Sequence, residues 1–464
     1  MTPELTQQQI EATTEAVSAA FSKHLDVLKS LVRIPGIAWD AFDAAELERS
    51  ADAVADLLRG LGVFDLVEIR RSSAAGAVGA PAVIARRAAK NGRGQVLLYA
   101  HHDVQPPGDS EVWRTAPFEP TQVGDRLYGR GAADDKAGIV AHLGAIEALK
   151  LVAGDDFDLG ISLFIEGEEE AGSPTFANFL VENAEILEAD VIIVADSGNW
   201  SLTTPALTSS LRGLVSQVIE VATLDHAVHS GMFGGAVPDS MTAMIRLLAS
   251  LHDANGDVAV VGLKHHTAAA PPYEDADLRR DSGLLDGVSQ LGSGSIVERI
   301  WAKPSITVIG LDNPSVALSS NTLQPKTQAK ISLRIAPGQD PAEALELLRE
   351  HLRQNVPFGA KLSFGDIELG QPFAVDSTGW AAKLMRDSLA TAYGESAVDM
   401  GIGGSIPFIA DLKRVFPAAQ ILVTGVEDPD SRAHSPNESL HIDTLRRAMT
   451  AEALFLAASN QISK

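Results

Sequence analysis

Four glutamates fall within five positions of one short segment, at Glu166 and at 168–170. The residues before them, 159–165, are apolar and partly β-branched, which predicts a buried strand that ends where the acids begin. At an effective dielectric constant of about 20, two like charges about 4 Å apart repel by roughly 4 kcal/mol. The segment is therefore either a solvated acidic turn or a cation site in which adjacent glutamates serve as ligand and general base.

Two other predicted strands also end at side chains that can bind a metal ion. The apolar segment 95–100 runs directly into His101, and the segment 190–195 stops at Asp196. Strands that alternate with helices predict a mostly parallel α/β sheet, in which ligands bind beyond the carboxyl ends of the strands. These side chains and the acidic run are therefore expected at one edge of the same sheet.

The full set of candidate ligands combines imidazole and carboxylate groups, which suit zinc, manganese or cobalt better than calcium. Its members are His101, Asp134, Glu170, Asp196 and His434. If Asp134 bridges two ions, His101 and Asp196 complete one site. Glu170 and His434 then complete the other, with the ions about 3.5–4 Å apart, as in hydrolases with two catalytic metals.

Two more carboxylates fit this arrangement without being ligands. Glu169 remains free beside the metals as the general base for the bridging water. Asp103 follows His101 by two residues and is expected to accept the second imidazole N–H of His101, which would fix the tautomer of the ring.

Composition limits the classes of partner and the chemistry of the site. The 464-residue chain has a formal net charge of −24, so nucleic acid and anionic membrane surfaces are not expected as partners. It contains no cysteine, so any metal site must use His, Asp and Glu. No signal peptide is visible at the N-terminus and no apolar run is long enough to span a membrane, which predicts a cytoplasmic protein.

Length and pattern predict two domains, one of them inserted into the other. The α/β pattern covers residues 1–208 and resumes at 378–464, which predicts a mostly parallel mixed-sheet catalytic domain. Between them, residues 209–377 show a β-α-β-α-β pattern typical of a small sheet with helices on one face. This segment is expected to form an α+β lid and dimerisation domain, although periodicity assigns no elements to 254–295.

Four motifs in order resemble the carnosinase and cytosolic non-specific dipeptidase branch of the dinuclear-zinc metallopeptidases. They are Tyr-Ala-His-His-Asp-Val-Gln-Pro at 99–106, Leu-Tyr-Gly-Arg-Gly-Ala-Ala-Asp-Asp-Lys at 127–136, Glu-Gly-Glu-Glu-Glu-Ala-Gly-Ser at 166–173 and Ala-His-Ser-Pro-Asn-Glu at 433–438. The same family includes carboxypeptidase G, aminoacylases and succinyl-diaminopimelate desuccinylase. The resemblance covers nearly the whole chain.

The resemblance implies two divalent ions per subunit, zinc first and manganese or cobalt as alternatives. It implies that Asp134 is the bridging ligand, with a cis peptide bond to Asp135 as in the relatives. It also implies Glu169 as the base and Glu170 as the ligand, since the relatives use the last two acids before the Gly-Ser turn.

In the inserted domain, the resemblance implies residues that contact the substrate. His229, in a His-Ser-Gly motif, is expected to reach the active site of the other subunit of a homodimer and to stabilise the oxyanion. Arg334 matches the arginine that grips the substrate carboxylate. The remaining candidates for substrate binding are Thr322, Gly403, Gly404 and Ser405.

Together these observations predict a homodimeric, metal-dependent dipeptidase that hydrolyses small dipeptides through a metal-bridging water. One alternative is an N-acyl-amino-acid deacylase or desuccinylase of the same family. The other is a non-catalytic scaffold relative, which would be expected to have lost a ligand or the base. No such loss is visible in the sequence.

Overall fold

The computed structural model describes residues 5–266, 273–375, 377–403 and 407–463. The α-helices are α1 (Gln7–Val32), α2 (Ala44–Leu61), α3 (Lys136–Ala153), α4 (Phe176–Glu182), α5 (Ala184–Leu187), α6 (Ser230–Phe233), α7 (Ser240–Ala249), α8 (Asp275–Ser282), α9 (Pro341–Asn355), α10 (Trp380–Tyr393), α11 (Pro407–Val415) and α12 (Ile442–Ser459). Short 3₁₀ turns occur at Ser110–Val112, Glu169–Ala171, Val316–Leu318 and Pro357–Gly359, and a π-helical turn at Glu298–Ala302. None of the helices in these ranges is long and apolar enough to cross a membrane.

The strands are β1 (Leu66–Arg70), β2 (Ser73–Ala74), β3 (Ala77–Val78), β4 (Ala82–Arg87), β5 (Gln95–His101), β6 (Thr121–Val123), β7 (Arg126–Tyr128), β8 (Gly160–Glu166), β9 (Val191–Val194), β10 (Ala206–Leu211), β11 (Gly213–Ala222), β12 (Val228–His229), β13 (Ser305–Asp312), β14 (Thr322–Leu323), β15 (Lys326–Ile335), β16 (Lys361–Gly370), β17 (Phe373–Ala374), β18 (Val398–Ile402), β19 (Gln420–Val423) and β20 (Ser439–His441). The chain divides into two compact units. The first comprises the described parts of Met1–Ser209, Val375–Met400 and Phe408–Lys464, and the second comprises those of Ser210–Ala374 and Gly401–Pro407.

The first unit is built on a mixed sheet with the strand order β1-β4-β8-β5-β9-β19-β10. The central strands β8, β5, β9 and β19 are parallel. Strands β4 and β10 pair antiparallel with β8 and β19, and β1 pairs antiparallel with β4 at the edge. Strands β5 and β8 are buried along their whole length, which agrees with their continuous apolar sequence. Helices α1, α3, α10 and α12 pack against one another beside this sheet, and α2 packs on β1 and β4.

The second unit is built on an antiparallel sheet with the order β13-β15-β11-β16. Helices α7 and α9 pack on this sheet, and their apolar side chains form a separate core with residues such as Val215, Ile331 and Leu348. Strand β15 alternates exposed and buried positions, the pattern of a sheet covered on one face. A short ladder of β12 and β14 lies outside this sheet.

The predicted fold class, a mixed α/β sheet with an α+β insertion, is confirmed. Helix α2 begins at Ala44 because Asp43 caps its first turn, and it ends at Leu61 because Gly62 adopts the left-handed region, at φ 65°. The β-α-β-α-β pattern expected for the insertion is incomplete, since it omits β13 at the edge of the sheet. Six of the eight residues of β13 are exposed, so the strand lacks the alternation of apolar and polar residues that marks a half-buried strand.

A buried ion pair joins helices α3 and α12 in the first unit. Nδ1 of His142 lies 2.8 Å from Oε1 of Glu452, and Nε2 lies 3.0 Å from the carbonyl oxygen of Tyr99. Burial lowers the pKa of His142, but the attraction and hydrogen bond of Glu452 outweigh it, and the pKa is raised above its usual value. A raised pKa in the folded state stabilises the fold below about pH 6.5, and this contribution is lost as the pH rises through the folded-state value.

We therefore expect Glu452→Gln to lower the free energy of unfolding by about 1–3 kcal/mol near pH 6, and by less near pH 9. Thermal midpoints measured at both pH values would test this, with Glu15→Gln on the exposed face of α1 as the control. An equal loss at both pH values would mean that the pair is a neutral hydrogen bond.

Candidate metal centre

Two groups of candidate ligands meet at Asp134. The ligand atoms of His101, Asp134 and Asp196 lie within 4.8 Å of one another, and so do those of Asp134, Glu170 and His434. Nε2 of His101 lies 3.0 Å from Oδ1 of Asp134, and Nε2 of His434 lies 3.0 Å from Oδ2 of the same carboxylate. Asp134 therefore offers one oxygen to each group, the arrangement that a bridging carboxylate requires.

Several carboxyl groups lie close together at this edge of the sheet, and their mutual repulsion and burial shift their pKa values. Burial and the charge of Asp134 together raise the pKa of Asp196 to about 7, against the lowering effect of His101. Burial, followed by the charge of Asp196, raises the pKa of Glu169 well above its usual value. Burial also opposes ionisation of Asp134, but hydrogen bonds from His101 and His434 outweigh it and lower the pKa of this carboxyl.

This donor set fits a pair of divalent cations. Two imidazoles and three carboxylates are the donors that zinc and related ions prefer over calcium. The acids at the centre repel one another, and divalent ions between them would offset that repulsion. The side chains His101, Asp134 and Asp196 would hold one ion, and Asp134, Glu170 and His434 the other.

The acidic turn after β8 has the shape that its glycines permit. A Cβ atom on Gly167 would lie 2.3 Å from the carbonyl oxygen of Pro81, so no larger residue fits there. Gly172 closes the turn in the left-handed region, at φ 88°. The backbone N–H groups of Glu169 and Glu170 donate to the two carboxylate oxygens of Asp103, at 3.2 and 3.0 Å. Asp103 thus fixes the direction of both glutamates.

The contact predicted between Asp103 and His101 is longer than the one that His101 makes to a backbone group. Nδ1 of His101 lies 3.1 Å from the carbonyl oxygen of Asp103 and 3.4 Å from its carboxylate. In this structure, the carboxylate of Asp103 is directed mainly at the backbone of the acidic turn.

The other two acids of the run have hydrogen bonds of their own. Glu168 accepts from the backbone and hydroxyl groups of Thr175, at 2.7 and 2.6 Å, and from the backbone of Ala80. Glu166 accepts from the Tyr99 hydroxyl at 2.6 Å. Neither belongs to the two donor groups, which contain Glu170 alone from this run.

A buried clamp holds the loop that carries Asp134. The carboxylate of Glu438 accepts from Nη1 of Arg130 at 2.7 Å and from the backbone N–H groups of Gly131, Ala133 and Asp134. Glu438 and Arg130 are both buried. The peptide bond from Asp134 to Asp135 is cis. Glu438 therefore ties the Asp134 loop to the segment that carries His434.

The predicted substrate residues of the second unit fall in two places. His229 and Thr322 are paired residues of the β12–β14 ladder, and Nδ1 of His229 accepts from the backbone of Gly231 at 3.0 Å. Arg334 lies on β15 and makes no ion pair with any described residue. Gly403 lies beside the guanidinium of Arg212, whose pKa is lowered to about 10 by burial and by Arg334. Gly404 and Ser405 lie outside the described residues.

Sequence reasoning did not assign roles to several residues that support the centre. The Gln105 side chain donates to Oε2 of Glu170 at 2.8 Å, and its backbone N–H donates to Oε1. Arg130, Gln105 and Glu438 all lie within the four sequence motifs, so their positions in these motifs could have indicated that they support the centre. Glu427 lies in none of the four motifs, so nothing in the sequence was a reason to select it. Burial raises its pKa well above the usual value, and so do the charges of Asp134 and Asp196.

Removing the clamp should weaken metal binding. We expect Glu438→Gln to lower the affinity for zinc by about 10- to 100-fold, because groups that orient the ligands typically contribute this much. Competition with a chromogenic chelator would measure the change. Glu119→Gln, in an exposed pair with Arg33, is the matched control and should leave the affinity unchanged. Unchanged affinity in Glu438→Gln would mean that Asp134 is positioned without the clamp.

Comparison with known proteins agrees with the motifs. The family model of peptidase family M20/M25/M40 matches residues 97–458. A cysteinylglycine-S-conjugate dipeptidase of Corynebacterium striatum is 36% identical over 368 residues, which cover 78% of this chain and 80% of that protein. The Beta-Ala-His dipeptidase of Rattus norvegicus is 27% identical over 420 residues, which cover 85% of this chain and 84% of that protein.

Among solved structures, that of human carnosine dipeptidase 1 superposes with a TM-score of 0.80 at 23% identity. The match covers 99% of this chain and 100% of the human chain. At this identity the structural similarity shows only a shared fold. The assignment to a family rests on the family model and on the bacterial relative. The predicted family and the predicted class of enzyme are both confirmed. This chain belongs to peptidase family M20/M25/M40 and is a hydrolase that acts on peptide bonds.

Proposed function

We propose that this chain is a metal-dependent dipeptidase with two divalent ions and with Glu169 as its general base. The relatives named for dipeptide hydrolysis support the substrate class. The observation that carries the proposal is the pair of donor groups that share Asp134, with Glu169 adjacent to them but in neither. A carboxylate beside a metal centre that is not itself a ligand is available for proton transfer.

When bound, the two ions would lower the pKa of water and polarise the scissile carbonyl. Glu169 would take a proton from the attacking water and return it to the nitrogen of the leaving amine. Its position suits this role because Asp103 holds its backbone.

Several finer assignments stay predictions. Zinc as the native metal, rather than manganese or cobalt, rests on resemblance and donor chemistry. The substrate-binding roles of His229, Thr322, Arg334 and the glycine loop at 403–405 rest on resemblance, as do the homodimer and the assignment of the second unit as a lid. Arg334 forms no ion pair with a described residue, so its guanidinium is available to bind the terminal carboxylate of the substrate.

The base can be tested by removing its charge while keeping its shape. We expect Glu169→Gln to lower kcat for a dipeptide by about 10²- to 10⁴-fold, since this is the usual contribution of general acid–base catalysis. The metal content should stay at that of the unmodified protein because Glu169 belongs to neither donor group. Glu182→Gln, exposed at the end of α4, is the control for the loss of one acid. Full activity with bound metal in Glu169→Gln would exclude this residue as the base.

The substrate class requires a direct comparison. Protein stripped with a chelator and supplied with zinc or manganese should hydrolyse dipeptides such as Cys-Gly, Ala-Ala and β-Ala-His, and should be inactive before metal is added. N-acetyl and N-succinyl amino acids should be turned over much more slowly. Turnover of the acyl amino acids alone would assign the chain to the deacylases of the family. Inactivity on every substrate with both ions bound would favour a scaffold.

A further inference from the structure

Glu427 lies on the loop after β19, next to the loop that carries Asp196. Strands β9 and β19 are parallel neighbours, so the segments that follow them leave the same edge of the sheet. The two loops remain joined beyond the strands. The backbone N–H of Glu427 donates to the carbonyl oxygen of Ser197 at 3.3 Å, and its carbonyl oxygen accepts from the backbone of Asn199 at 2.8 Å. The position of Glu427 is therefore set by the loop that also carries a candidate metal ligand.

The close contact between these loops depends on small residues. A Cβ atom on Gly198 would lie 3.3 Å from Cβ of Glu427, and one on Gly425 would overlap the carbonyl oxygen of Ser197 at 1.7 Å. The side-chain amide of Asn199 donates to the carbonyl oxygens of Gly425 and Glu427, both at 3.1 Å. Glu427 is thus held on a tightly packed backbone, which suits a residue that binds a ligand.

The carboxylate of Glu427 makes no hydrogen bond or ion pair with any described residue, although it is partly buried. Its neighbour Asp428 shows the usual alternative. Asp428 accepts two hydrogen bonds from the guanidinium of Arg126, at 3.1 and 3.0 Å, and another from the hydroxyl of Ser431. A partly buried carboxylate without such partners is available to bind a cation or a donor.

The charges that act on the Glu427 carboxyl are those of the candidate metal centre. They belong to Asp134, Asp196, His434 and Glu438. Glu438 is neutralised by Arg130, and the other three are candidate ligands. Glu427 is therefore a carboxylate whose loop is hydrogen-bonded to the loop after Asp196 and on which the charges of the candidate centre act. This carboxylate belongs to neither donor group and makes no hydrogen bond or ion pair with any described residue.

We propose that Glu427 binds the free α-ammonium group of a dipeptide substrate. This inference rests on the proposed dipeptidase function. The ammonium is the only cation of a simple dipeptide, and it needs an anionic partner when it leaves water. An N-acyl amino acid shares the scissile amide but carries a neutral acyl chain without the ammonium, so an unpaired carboxylate at this position favours the dipeptide over the acyl compound. Glu427 would therefore be a specificity-determining residue of the hydrolase.

The test compares two substrates that differ only in the ammonium group, alanylglycine and propionylglycine. Both are assayed with the zinc-loaded full-length protein and with Glu427→Gln, Glu427→Asp and Asp430→Asn. Propionylglycine is also measured as a competitive inhibitor, so that its affinity is obtained even where its hydrolysis is slow. The zinc content of each variant is determined in parallel. Asp430→Asn is the matched control because it removes one exposed acid from the same loop.

We expect Glu427→Gln to lower kcat/KM for alanylglycine by about 10- to 100-fold, the usual effect of losing a charge-assisted hydrogen bond. The affinity for propionylglycine and the zinc content should not change. Glu427→Asp should recover part of the loss because it keeps the charge, and Asp430→Asn should behave like the unmodified protein.

Three results would overturn the proposal. An equal loss for both compounds would assign Glu427 a structural role, and a loss of zinc would make it a metal ligand. An unchanged kcat/KM for alanylglycine would mean that the ammonium is bound elsewhere. If the unmodified zinc-loaded protein hydrolyses no dipeptide, the proposed function itself fails, and this inference fails with it.

Discussion

Repulsion among buried carboxylates is the constraint on which the catalytic edge of the sheet depends. Asp134, Glu169, Glu170 and Asp196 lie close enough that burial and mutual charge raise the pKa values of Glu169 and Asp196. Such a cluster is unfavourable in a protein interior unless cations or donors compensate it. The surrounding structure supplies donors to some of these acids, and divalent ions would compensate the rest.

Most of the hydrogen-bond donors to these carboxylates are backbone N–H groups. The acidic turn and the Asp134 loop are therefore held in fixed conformations. Asp103 accepts from the backbone amides of Glu169 and Glu170, and Glu438 accepts from three backbone amides of the Asp134 loop. In each case one buried carboxylate fixes a neighbouring turn, and that turn carries the functional acid. Ligands held in this way are oriented by the surrounding backbone, so binding an ion requires little rearrangement.

Much of the fold could be predicted from the sequence because its elements have strong local signals. Helix α2 begins at an Asp cap and ends at a glycine, and the buried strands β5 and β8 are continuous apolar segments. Strand β13 could not be predicted because most of its residues are exposed and its pairing with β15 is a long-range contact. The helix α8 lies in a segment that is rich in Asp and Gly and buries none of its residues, so no apolar periodicity marks it.

In the candidate site too, some features follow from the local sequence, whereas others depend on contacts between distant segments. His101 and Asp196 follow from predicted strand ends, and the ordered motifs add Asp134 and identify the family. Which of four glutamates face the metals does not follow from spacing, because Glu166 and Glu168 are distinguished only by their contacts with Tyr99 and Thr175. Glu427 belongs to no motif, and only the pairing of the β9 and β19 loops places it beside the loop that carries Asp196.

The balance of charge gives a reason for an unpaired acid at this centre. The carboxylates whose charges act on one another there are those of Asp134, Glu169, Glu170, Asp196 and Glu427. Two divalent ions would neutralise four of these charges and leave one. A dipeptide whose terminal carboxylate is bound elsewhere by an arginine would bring a single positive charge, whereas an acyl amino acid would bring none. An enzyme selective for a free amino terminus therefore gains from one more carboxylate than its metals can balance, because a desolvated ammonium binds best where a negative charge remains uncompensated.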